Sequence, residues 1–453
     1  MADRLPDLSG SAVLVCGARF AGQAAARALL ARGAAVRLTD RDRPAGLDEL
    51  IAAGAEFAGP LDSVPADTAL VVTSPGWPPR HPLFADATAR GIEVIGELEF
   101  AWRLRGPAAA DWLVVTGTNG KTTTVRMLES MLRADGLRAL AVGNVGVSII
   151  DAVVAAVPYD VLAVEASSYQ LYWSSTIRPR AGVLLNLAPD HLDWHGSMEA
   201  YEQAKTAVWD GDVAVANADD PRVTALFAPG GVSFTLGEPR DGQLGVANGR
   251  LVSRAFGDDR VPLAEVDAVR PSGAHNVANA LAAAALARAR GVAPRVVDEG
   301  LRTFVPDPHR NQVVHVADGV TWVDDSKATN PHAAQASLRG YPRIVWVAGG
   351  QLKGVDVSDL VATVADRLAG VVLLGADRAL VAAALARHAP DVPVITVDST
   401  DDGAMTEVVH AAAGLARPGD TVLLAPAAAS YDMFSGYAAR GDAFADAARE
   451  QTT

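Results

Sequence analysis

Residues 112–124 read WLVVTGTNGKTTT, and this stretch decides the fold of the chain around it. The apolar run predicts a buried strand, the Gly-rich segment a tight turn, and Lys121 and Thr122 the opening of a helix. Backbone N–H groups at a helix start, followed by a lysine and a hydroxyl, are what a nucleoside triphosphate needs. The strict phosphate-loop pattern is not met, because Val115 stands where its first glycine belongs. An ATP or GTP site is therefore favoured over an ordinary strand-to-helix turn, without yet indicating a reaction.

The composition narrows the class of protein. The chain has 453 residues, half of them hydrophobic, which allows about three domains with a sizeable core in each. The net charge of -14 and the isoelectric point near 5.1 argue against a nucleic-acid or membrane-surface binder. The single cysteine, Cys16, excludes an internal disulfide and fits a reducing compartment. Because the chain shows neither a signal core nor the ~18 uninterrupted apolar residues of a membrane span, we expect a soluble cytoplasmic protein.

The chain begins with the outline of a nucleotide-binding unit. Residues 11–16 (SAVLVC) predict a buried strand, residues 17–22 (GARFAG) a turn into a helix, and Asp40 follows the next strand. Arg19 replaces the second glycine of the dinucleotide fingerprint, where backbone must approach a pyrophosphate closely. We therefore expect this unit to bind a nucleotide other than NAD or FAD, or to have a purely structural role. Asp40 could take ribose hydroxyls or a uracil edge, or serve only as a turn residue.

Strand and helix patterns alternate along the rest of the chain, with a linker at Gly106-Pro107-Ala108 and a break at Pro306-Asp307-Pro308. This predicts an α/β protein of three domains. The first (1–106) is a Rossmann-like domain and the second (107–305) is a P-loop-type ATPase domain with a mainly parallel sheet. The third (306–453) is a C-terminal Rossmann-like α/β domain.

Ionisable side chains follow several predicted strands. Glu165 ends one strand, at the place where a Mg²⁺ ligand is expected beside a phosphate loop. His191, Asp193 and His195 follow another, and a metal or phosphate role is favoured there over a merely polar loop. Lys205 lies on a helix that Ser197 could cap, and by itself it indicates a solvated surface lysine.

Two further groups of polar residues stand out. Asn276 and Asn279 are three apart, so they share one helix face, where they could meet an adenine edge or cap the helix. In the third domain polar and basic residues follow predicted strands, at the edge where an open α/β sheet builds its site. These are His309, Arg310, 324–330, 349–354, 430–434 and Tyr437.

Together these motifs resemble the Mur ligase family, the ATP-dependent enzymes that lengthen the peptidoglycan stem peptide. The resemblance spans the whole chain and rests on the order and spacing of 116–123, 165–171, 186–193, Lys205, 275–279, 309–310 and 349–350. Within the family, 325–330 (DSKATN) and 430–434 (SYDMF) resemble the member that adds D-glutamate. The Asp-Asn-Pro-Arg signature of the diaminopimelate-adding member does not occur in the sequence.

The resemblance implies a two-step amide ligation in cytoplasmic peptidoglycan precursor synthesis. ATP phosphorylates the carboxylate of UDP-N-acetylmuramoyl-L-alanine, and the amine of D-glutamate then attacks the acyl phosphate. A carboxylate must approach a phosphate of the same sign, so cations have to offset the repulsion. The implied partners are these two substrates, with ATP and two Mg²⁺ ions, and the chain is expected to act as a monomer.

The resemblance also implies roles for individual residues. The residues implied to contact ATP are Gly117, Thr118, Asn119, Gly120, Lys121, Thr122, Thr123, Asn276, Asn279, His309, Arg310 and Asp325. Thr122 and Glu165 would hold one Mg²⁺, and His191 and Lys205 the second, with Lys121, His191 and Lys205 as the catalytic group. Because a cationic lysine cannot ligate a metal, the resemblance implies that CO₂ carbamylates Lys205, which reverses its interpretation as a solvated lysine.

The substrate contacts are implied in the same way. The UDP moiety would be bound by Arg19, Phe20, Asp40, Arg41, Ser74 and Gly76, and the alanyl end or acyl phosphate by Asn144. The two carboxylates of D-glutamate would be held by Lys327, Thr329, Lys353, Ser430 and Tyr437, because an unpaired carboxylate would be costly. The family usually has Phe at the Tyr437 position, so the backbone N–H there could be the group that counts.

Three rivals follow from parts of the pattern. A folate polyglutamate ligase is disfavoured by the UDP-type first domain and by residues 325–330. A nucleotide-sensing protein without turnover is disfavoured by the presence of Glu165, His191 and Lys205 together. A dehydrogenase is disfavoured by Arg19 and by the phosphate loop.

Overall fold

The computed structural model describes residues 4–106, 109–399 and 403–451. Pro107 and Ala108 of the expected linker lie outside the described residues. The chain forms two compact units. The first comprises the chain up to Val269 together with Val277–Phe304, and the second comprises Arg270–Asn276 and the chain from Val305 onward. Within the described residues, no helix has the length and apolar character to cross a membrane.

The described residues before position 107 build a sheet of five parallel strands. Its elements are β1 (Ala12–Cys16), α1 (Phe20–Leu30), β2 (Ala35–Thr39), α2 (Asp48–Ala52), β3 (Glu56–Phe57), β4 (Thr68–Thr73), α3 (Pro82–Ala89), β5 (Glu93–Gly96) and α4 (Glu97–Leu104). The strand order β3-β2-β1-β4-β5, with all neighbours parallel, is that of a Rossmann-type sheet. The Rossmann-like first domain is therefore confirmed.

The described residues from 109 to 304 build a second sheet. Its elements are β6 (Asp111–Thr116), α5 (Lys121–Ala134), β7 (Ala139–Gly143), α6 (Ile149–Val153), β8 (Val161–Glu165), α7 (Ser168–Tyr172), β9 (Ala181–Leu184), α8 (Leu192–His195), α9 (Met198–Thr206), β10 (Ala214–Asn217), α10 (Pro221–Leu226), β11 (Val232–Phe234), β12 (Gln243–Ala247), β13 (Arg250–Ser253), β14 (Val261–Glu265), α11 (Ala274–Arg290) and α12 (Pro294–Thr303). The order is β14-β13-β12-β11-β10-β9-β6-β8-β7. The strands from β12 to β7 are parallel to their neighbours, while β13 and β14 add an antiparallel edge.

The described residues after position 304 build a third sheet. Its elements are β15 (Gln312–Ala317), β16 (Val320–Asp324), α13 (Pro331–Leu338), β17 (Ile344–Gly349), α14 (Ser358–Val364), β18 (Leu368–Leu374), α15 (Arg378–His388), β19 (Val394–Thr396), α16 (Ala404–Leu415), β20 (Thr421–Leu424) and α17 (Tyr437–Glu450). The order is β15-β16-β20-β17-β18-β19, parallel except for the β15 edge. Buried residues pack on both faces of this sheet, as expected for an α/β layer structure.

Local sequence explains the elements that carry the site. Trp112 to Val115 are buried as a continuous apolar run, which is typical of a central parallel strand. Ser197 caps α9 by accepting a hydrogen bond from the backbone N–H of Ala200 at 3.2 Å, as the sequence predicts. Helix α11 carries a run of alanines, and each side chain from Ala280 to Ala287 is fully buried. Its packing against the second sheet follows from that apolar surface.

Helix α4 joins the first sheet to the second within one unit. Glu99 on this helix is fully buried and accepts hydrogen bonds from Ser175 N (2.9 Å), Thr176 N (3.1 Å) and Thr176 Oγ1 (2.6 Å). Arg103, one turn later, donates to Glu99 at 2.7 Å and to Glu93 at 2.9 and 3.0 Å. These buried groups fulfil one another's hydrogen-bonding capacity without water. The contact therefore fixes α4 against the segment that follows α7.

Candidate active site

Four neighbouring parallel strands of the second sheet end at one edge. In spatial order these are β9, β6, β8 and β7, and each is followed by residues singled out from the sequence. Because the carboxyl ends of parallel strands meet at the same edge, the segments around Asn186, Gly117, Glu165 and Asn144 lie together. Their hydrogen bonds show that they form one cluster.

The phosphate loop is held in shape by Asn186. Its Oδ1 accepts from Asn119 N at 2.8 Å, its Nδ2 donates to Asn119 O at 3.0 Å, and its carbonyl accepts from Thr118 N at 3.0 Å. Gly120 precedes α5 in the left-handed region (φ 85°), and a Cβ there would meet the side chain of Asn279. The Gly-rich turn is therefore required both by backbone conformation and by a close neighbour.

Lys121 opens α5 with its side chain folded over the loop. Its Nζ donates to the carbonyls of Gly117 and Thr118, each at 2.9 Å. The helix N-terminus and this ammonium group place positive charge at the loop, which is the electrostatic arrangement that favours phosphate oxygens.

Thr122 and Glu165 form an oxygen-rich pair beside the loop. The hydroxyl of Thr122 donates to Glu165 Oε2 at 2.7 Å, and Asn144 Nδ2 donates to Glu165 Oε1 at 2.9 Å. Mg²⁺ prefers oxygen ligands and is usually bound by one or two carboxylates together with substrate phosphates and water. A hydroxyl and a carboxylate beside a phosphate loop therefore fit that ion.

Lys205 is a buried lysine, which overturns its interpretation from the sequence pattern as a solvated one. The residue is 2 % exposed, and its Nζ donates to Gly117 O at 2.8 Å and Thr116 Oγ1 at 3.3 Å. The ammonium group also lies 4.8 Å from the ring centre of Tyr201. Burial and the nearby charge of Lys121 lower the pKa of Lys205 well below its usual range. The neutral amine is therefore favoured much more strongly than in an exposed lysine.

Helix α8 begins directly after His191, and the rings of His191 and His195 both lie beside Tyr169. His191 has a left-handed backbone (φ 55°), and its Nε2 lies 3.5 Å from Asp190 Oδ2. Burial lowers the pKa of His191, and the charges of Lys121 and Lys205 act in the same direction.

His195 has different surroundings. Its Nε2 lies 2.9 Å from Ser168 Oγ, its ring stacks on Tyr169, and burial lowers the pKa of His195 to about 4. Among the described residues, no three His, Cys, Asp or Glu side chains gather as a ready metal cage. A metal or phosphate role for this segment stays a prediction, with His191 as the residue that the family resemblance assigns to Mg²⁺.

The residues expected to bind UDP surround the carboxyl ends of β1 and β2. Asp40 accepts from the backbone N–H of Ala18 at 2.8 Å and of Arg41 at 2.7 Å, as a turn residue does, and its contact with UDP stays a prediction. Arg19 precedes α1 with an extended backbone, and the Phe20 side chain is exposed. Ser74 follows the adjacent β4, and a Cβ at Gly17 would meet its side chain. Gly76 and Arg41 are exposed on the same loops.

Asn276 and Asn279 are both buried, in the first turns of α11. Asn276 Nδ2 donates to Ser272 O at 3.4 Å, and Asn279 lies against Gly120 of the phosphate loop. Asn276 therefore contacts the segment before α11 and Asn279 lies against the phosphate loop, and an adenine contact stays a prediction for both.

In the second unit, His309 and Asp325 lie at the end of β16. His309 Nδ1 is 2.6 Å from Asp324 Oδ2, and this buried pair packs against Gly441 of α17. Asp325 accepts from Asn311 N at 3.1 Å, and burial raises the pKa of Asp325 to about 6. Arg310 approaches Asp307, with 3.9 Å between Nε and Oδ2.

The residues expected to hold D-glutamate follow β16, β17 and β20, three adjacent strands. Lys327 Nζ lies 3.9 Å from the ring centre of Tyr437, while Ser430 is buried. Thr329 is half-buried, and Lys353 is exposed with a left-handed backbone (φ 53°). These residues lie on neighbouring loops of one sheet edge, which is the arrangement that the strand pattern predicts.

The structural roles of three residues around these sites were not predicted. Asn186 shapes the phosphate loop, and Tyr201 OH lies 2.9 Å from Thr118 Oγ1. Arg440 is buried among the strand-end loops of the third sheet. Asn186 and Tyr201 belong to sequence motifs that we interpreted through other residues. No sequence pattern indicated a role for Arg440, apart from its closeness to Tyr437 along the chain.

Comparisons with known proteins agree with this architecture. Residues 11–96 match the model of the Mur ligase MurD-like N-terminal domain, residues 115–287 the Mur ligase middle domain, and residues 309–428 the Mur ligase glutamate ligase domain. The chain is similar to proteins named UDP-N-acetylmuramoylalanine–D-glutamate ligase. One from Thermobifida fusca (strain YX) is 56 % identical over 97 % of this chain and 98 % of its own length. Another, from Mycolicibacterium smegmatis, is 49 % identical over 99 % of this chain and 98 % of its own length.

Solved structures share the fold. The UDP-N-acetylmuramate-alanine ligase of Thermotoga maritima has a TM-score of 0.58 at 17 % identity, and the match covers 98 % of this chain and 99 % of that one. The fold is therefore the three-domain α/β arrangement expected from the sequence, and at 49–56 % identity to its full-length relatives this chain belongs to the Mur ligase family.

Proposed function

We propose that this chain is an ATP-dependent ligase that joins D-glutamate to UDP-N-acetylmuramoyl-L-alanine in peptidoglycan precursor synthesis. Its full-length relatives carry the corresponding name. The observation that carries the proposal is the cluster around the phosphate loop, where Lys121, the Thr122–Glu165 pair and the buried Lys205 share neighbouring positions. Phosphoryl transfer needs cations, oxygen ligands and a fixed loop, and these residues supply all three.

The reaction follows in two balanced steps. A carboxylate oxygen of the alanyl group attacks the γ-phosphorus of ATP, which gives an acyl phosphate and ADP. The amine of D-glutamate then attacks the acyl carbon, which gives the amide, phosphate and a proton. Lys121 would reduce the repulsion in the first step, because its ammonium group lies at the loop that faces the phosphates. Asn144, already bound to Glu165, is proposed to hold the alanyl end or the acyl phosphate.

Magnesium use belongs to the family, and we propose two sites. Thr122 and Glu165 would hold one ion through their oxygens. His191 and Lys205 would hold the other, for which Lys205 must become a carbamate. Only a neutral amine adds CO₂, forming an N–C bond and releasing a proton. When bound, Mg²⁺ neutralises charge on the phosphate oxygens.

The substrate subsites are proposed from the strand-end loops. UDP would be bound at the ends of the first sheet by Arg19, Phe20, Asp40, Arg41, Ser74 and Gly76. Asn279 lies against the phosphate loop and would meet the adenine with Asn276. The ribose and phosphates would be held by His309, Arg310 and Asp325, and the D-glutamate carboxylates by Lys327, Thr329, Lys353, Ser430 and Tyr437.

We also propose the domain limits 1–106, 107–305 and 306–453, a monomeric state and a cytoplasmic location. The limits are supported by the three sheets, whose described strands fall within these ranges. The location is supported by the use of nucleotide-linked precursors and ATP. Size-exclusion chromatography with light scattering at working concentration tests the monomer; a dimer mass would refute it.

The test of the function is phosphate release from ATP in the presence of UDP-N-acetylmuramoyl-L-alanine. D-glutamate, L-glutamate, L-lysine and diaminopimelate are added in turn, and a folate substrate replaces the UDP substrate in a parallel series. Release that depends on D-glutamate and the UDP substrate is expected. Phosphate release with another amino acid would be consistent with a Mur ligase but would refute the specificity for D-glutamate. No phosphate release with any combination of substrates would refute the ligase assignment.

A further inference from the structure

Arg440 is a buried cation in the first turn of α17, with 1 % of its surface exposed. Its Nε donates to Ser326 Oγ at 2.9 Å, and its Nη2 donates to the carbonyls of Ser326 (2.9 Å) and Ala428 (3.1 Å). Its Nη1 donates to the carbonyls of Ala428 (3.1 Å) and Gly349 (3.5 Å). A guanidinium has five N–H groups, so these contacts use its full donor set.

The acceptors of Arg440 belong to three loops. Ser326 follows β16, Ala428 follows β20, and Gly349 ends β17. These strands are direct neighbours in the order β16-β20-β17. One side chain therefore ties together three successive strand ends, through main-chain carbonyls whose positions set the course of each loop.

Each tied loop leads directly to residues proposed to hold D-glutamate. Lys327 is next to Ser326, Ser430 lies two residues after Ala428, and Lys353 lies four residues after Gly349. Ser326 Oγ, which accepts from Arg440, also donates to the carbonyl of Tyr437 at 2.7 Å. The hydrogen-bond network of Arg440 thus reaches every loop of the proposed amino-acid subsite.

The packing around the guanidinium is close. Gly350 has a left-handed backbone (φ 130°), and a Cβ there would lie 3.3 Å from Arg440 Nη1 and meet the carbonyl of Ala429. Burial lowers the pKa of Arg440 to about 10, so the group stays protonated at neutral pH. Its hydrogen bonds in the described chain go to carbonyls and a hydroxyl, and the nearby negative charges of Asp432 and Asp324 favour its protonated form.

We propose that Arg440 is a positioning residue of the ligase reaction, which fixes three strand-end loops in the geometry that binds the carboxylates of the incoming amino acid. This inference rests on the proposed function, because it assigns the amino-acid subsite to these loops. Arg440 acts through Lys327, Ser430 and Lys353 rather than by touching the substrate.

Two variants test the role. Arg440→Lys keeps the charge, but one ammonium group cannot reach three loops in the fixed pattern of a guanidinium. Ser326→Ala keeps Arg440 and removes the hydroxyl that links it to Tyr437. We expect the KM for D-glutamate to rise about 10- to 100-fold in Arg440→Lys and about 3- to 10-fold in Ser326→Ala, from the loss of charge-assisted hydrogen bonds. The KM for the UDP substrate should change less than about twofold, because its proposed residues lie on other sheets.

Arg449→Lys is the matched control, since Arg449 lies on the same helix and pairs with Asp446 at the surface. It should leave both KM values unchanged. General destabilisation would lower the amount of active enzyme and hence the apparent kcat, but it would not raise one KM selectively. Thermal unfolding of each variant shows whether it is folded at the assay temperature.

The outcomes separate the two proposals. A wild-type enzyme without D-glutamate-dependent phosphate release would overturn the proposed function and this inference with it. An active wild type whose folded Arg440→Lys and Ser326→Ala variants keep the wild-type KM for D-glutamate would overturn the inference alone. If Arg440→Lys does not fold, Ser326→Ala decides by the same criterion.

Discussion

Replacing Glu99 by Gln should destabilise the first unit strongly. The glutamine keeps the size of the side chain but presents an NH₂ group where Arg103 Nε and Thr176 Oγ1 now donate, at 2.7 and 2.6 Å. The buried N–H of Arg103 and the hydroxyl of Thr176 would then face the NH₂ group of the glutamine, which is also a donor. The charge of Arg103 would lose its buried carboxylate partner. Removing one member of a buried ion pair costs about 3–5 kcal/mol, and we expect the free energy of unfolding to fall by that amount.

Glu93→Gln is the matched control, because Glu93 pairs with the same guanidinium but its side chain is 53 % exposed. An exposed pair contributes about 0–1 kcal/mol, so this variant should stay within about 1 kcal/mol of wild type. The assay is urea unfolding at pH 7.5, followed by tryptophan fluorescence and fitted for the first transition. Equal midpoints for the two variants would refute the reasoning.

The pH dependence of the free energy of unfolding provides a second test of the role of Glu99. Burial would raise the pKa of Glu99, but hydrogen bonds from Thr176, Ser175 and Arg103 outweigh it and lower the pKa below its usual range. The unfolded chain therefore binds this proton at a higher pH than the folded chain does. The stability difference between wild type and Glu99→Gln should be complete above the unfolded pKa of about 4.3, and should shrink as pH falls through the lower folded value. A difference that stays constant down to pH 3 would contradict the assigned cause.

Three other predictions concern the site and the core. Lys205→Ala should abolish phosphate release, and a short-chain carboxylate should partly restore it, because it replaces the carbamate oxygens; an unchanged rate in the variant would refute the carbamate. Glu165→Gln should raise the Mg²⁺ concentration for half-maximal activity by about tenfold or more, since a carboxylate is lost from an oxygen-ligand pair, and a Mg²⁺ titration that overlays that of wild type would exclude Glu165 as a ligand. Cys16 is fully buried and burial raises the pKa of its thiol, so a thiol reagent should label it in urea but not in the folded protein; rapid labelling of the folded protein would contradict its core position.

The phosphate loop and the strand ends could be predicted because their signals are local. An apolar run followed by glycines and Lys121 predicts a strand, a turn and a helix without knowledge of distant residues. Parallel topology then brings Glu165 and Asn144 to the same edge, although they lie on different strands. The domain class follows from the same alternation of strands and helices.

The surroundings of single side chains could not be predicted, because they depend on distant segments. Lys205 donates to Thr116 and Gly117, about ninety positions earlier, and helical spacing alone does not reveal that burial. Arg440 binds carbonyl groups, which every residue possesses, so its partners leave no pattern in the sequence. His195 was grouped with His191 by closeness along the chain, and no sequence pattern indicated that its Nε2 lies beside Ser168 Oγ.

The alanine run of α11 has a consequence for the precision of the site. Alanine has no rotatable side-chain torsion, so burying Ala282 to Ala285 loses no rotamer freedom and leaves no alternative packing to sample. Between Leu281 and Leu286, which are also buried, these alanines therefore offer no rotamer exchange that would let the helix shift over the sheet. Asn279 stands just before this run and lies against Gly120. The backbone that carries this amide is thus held in place by the alanine run, and a larger residue within the run should displace the amide as well as reduce stability.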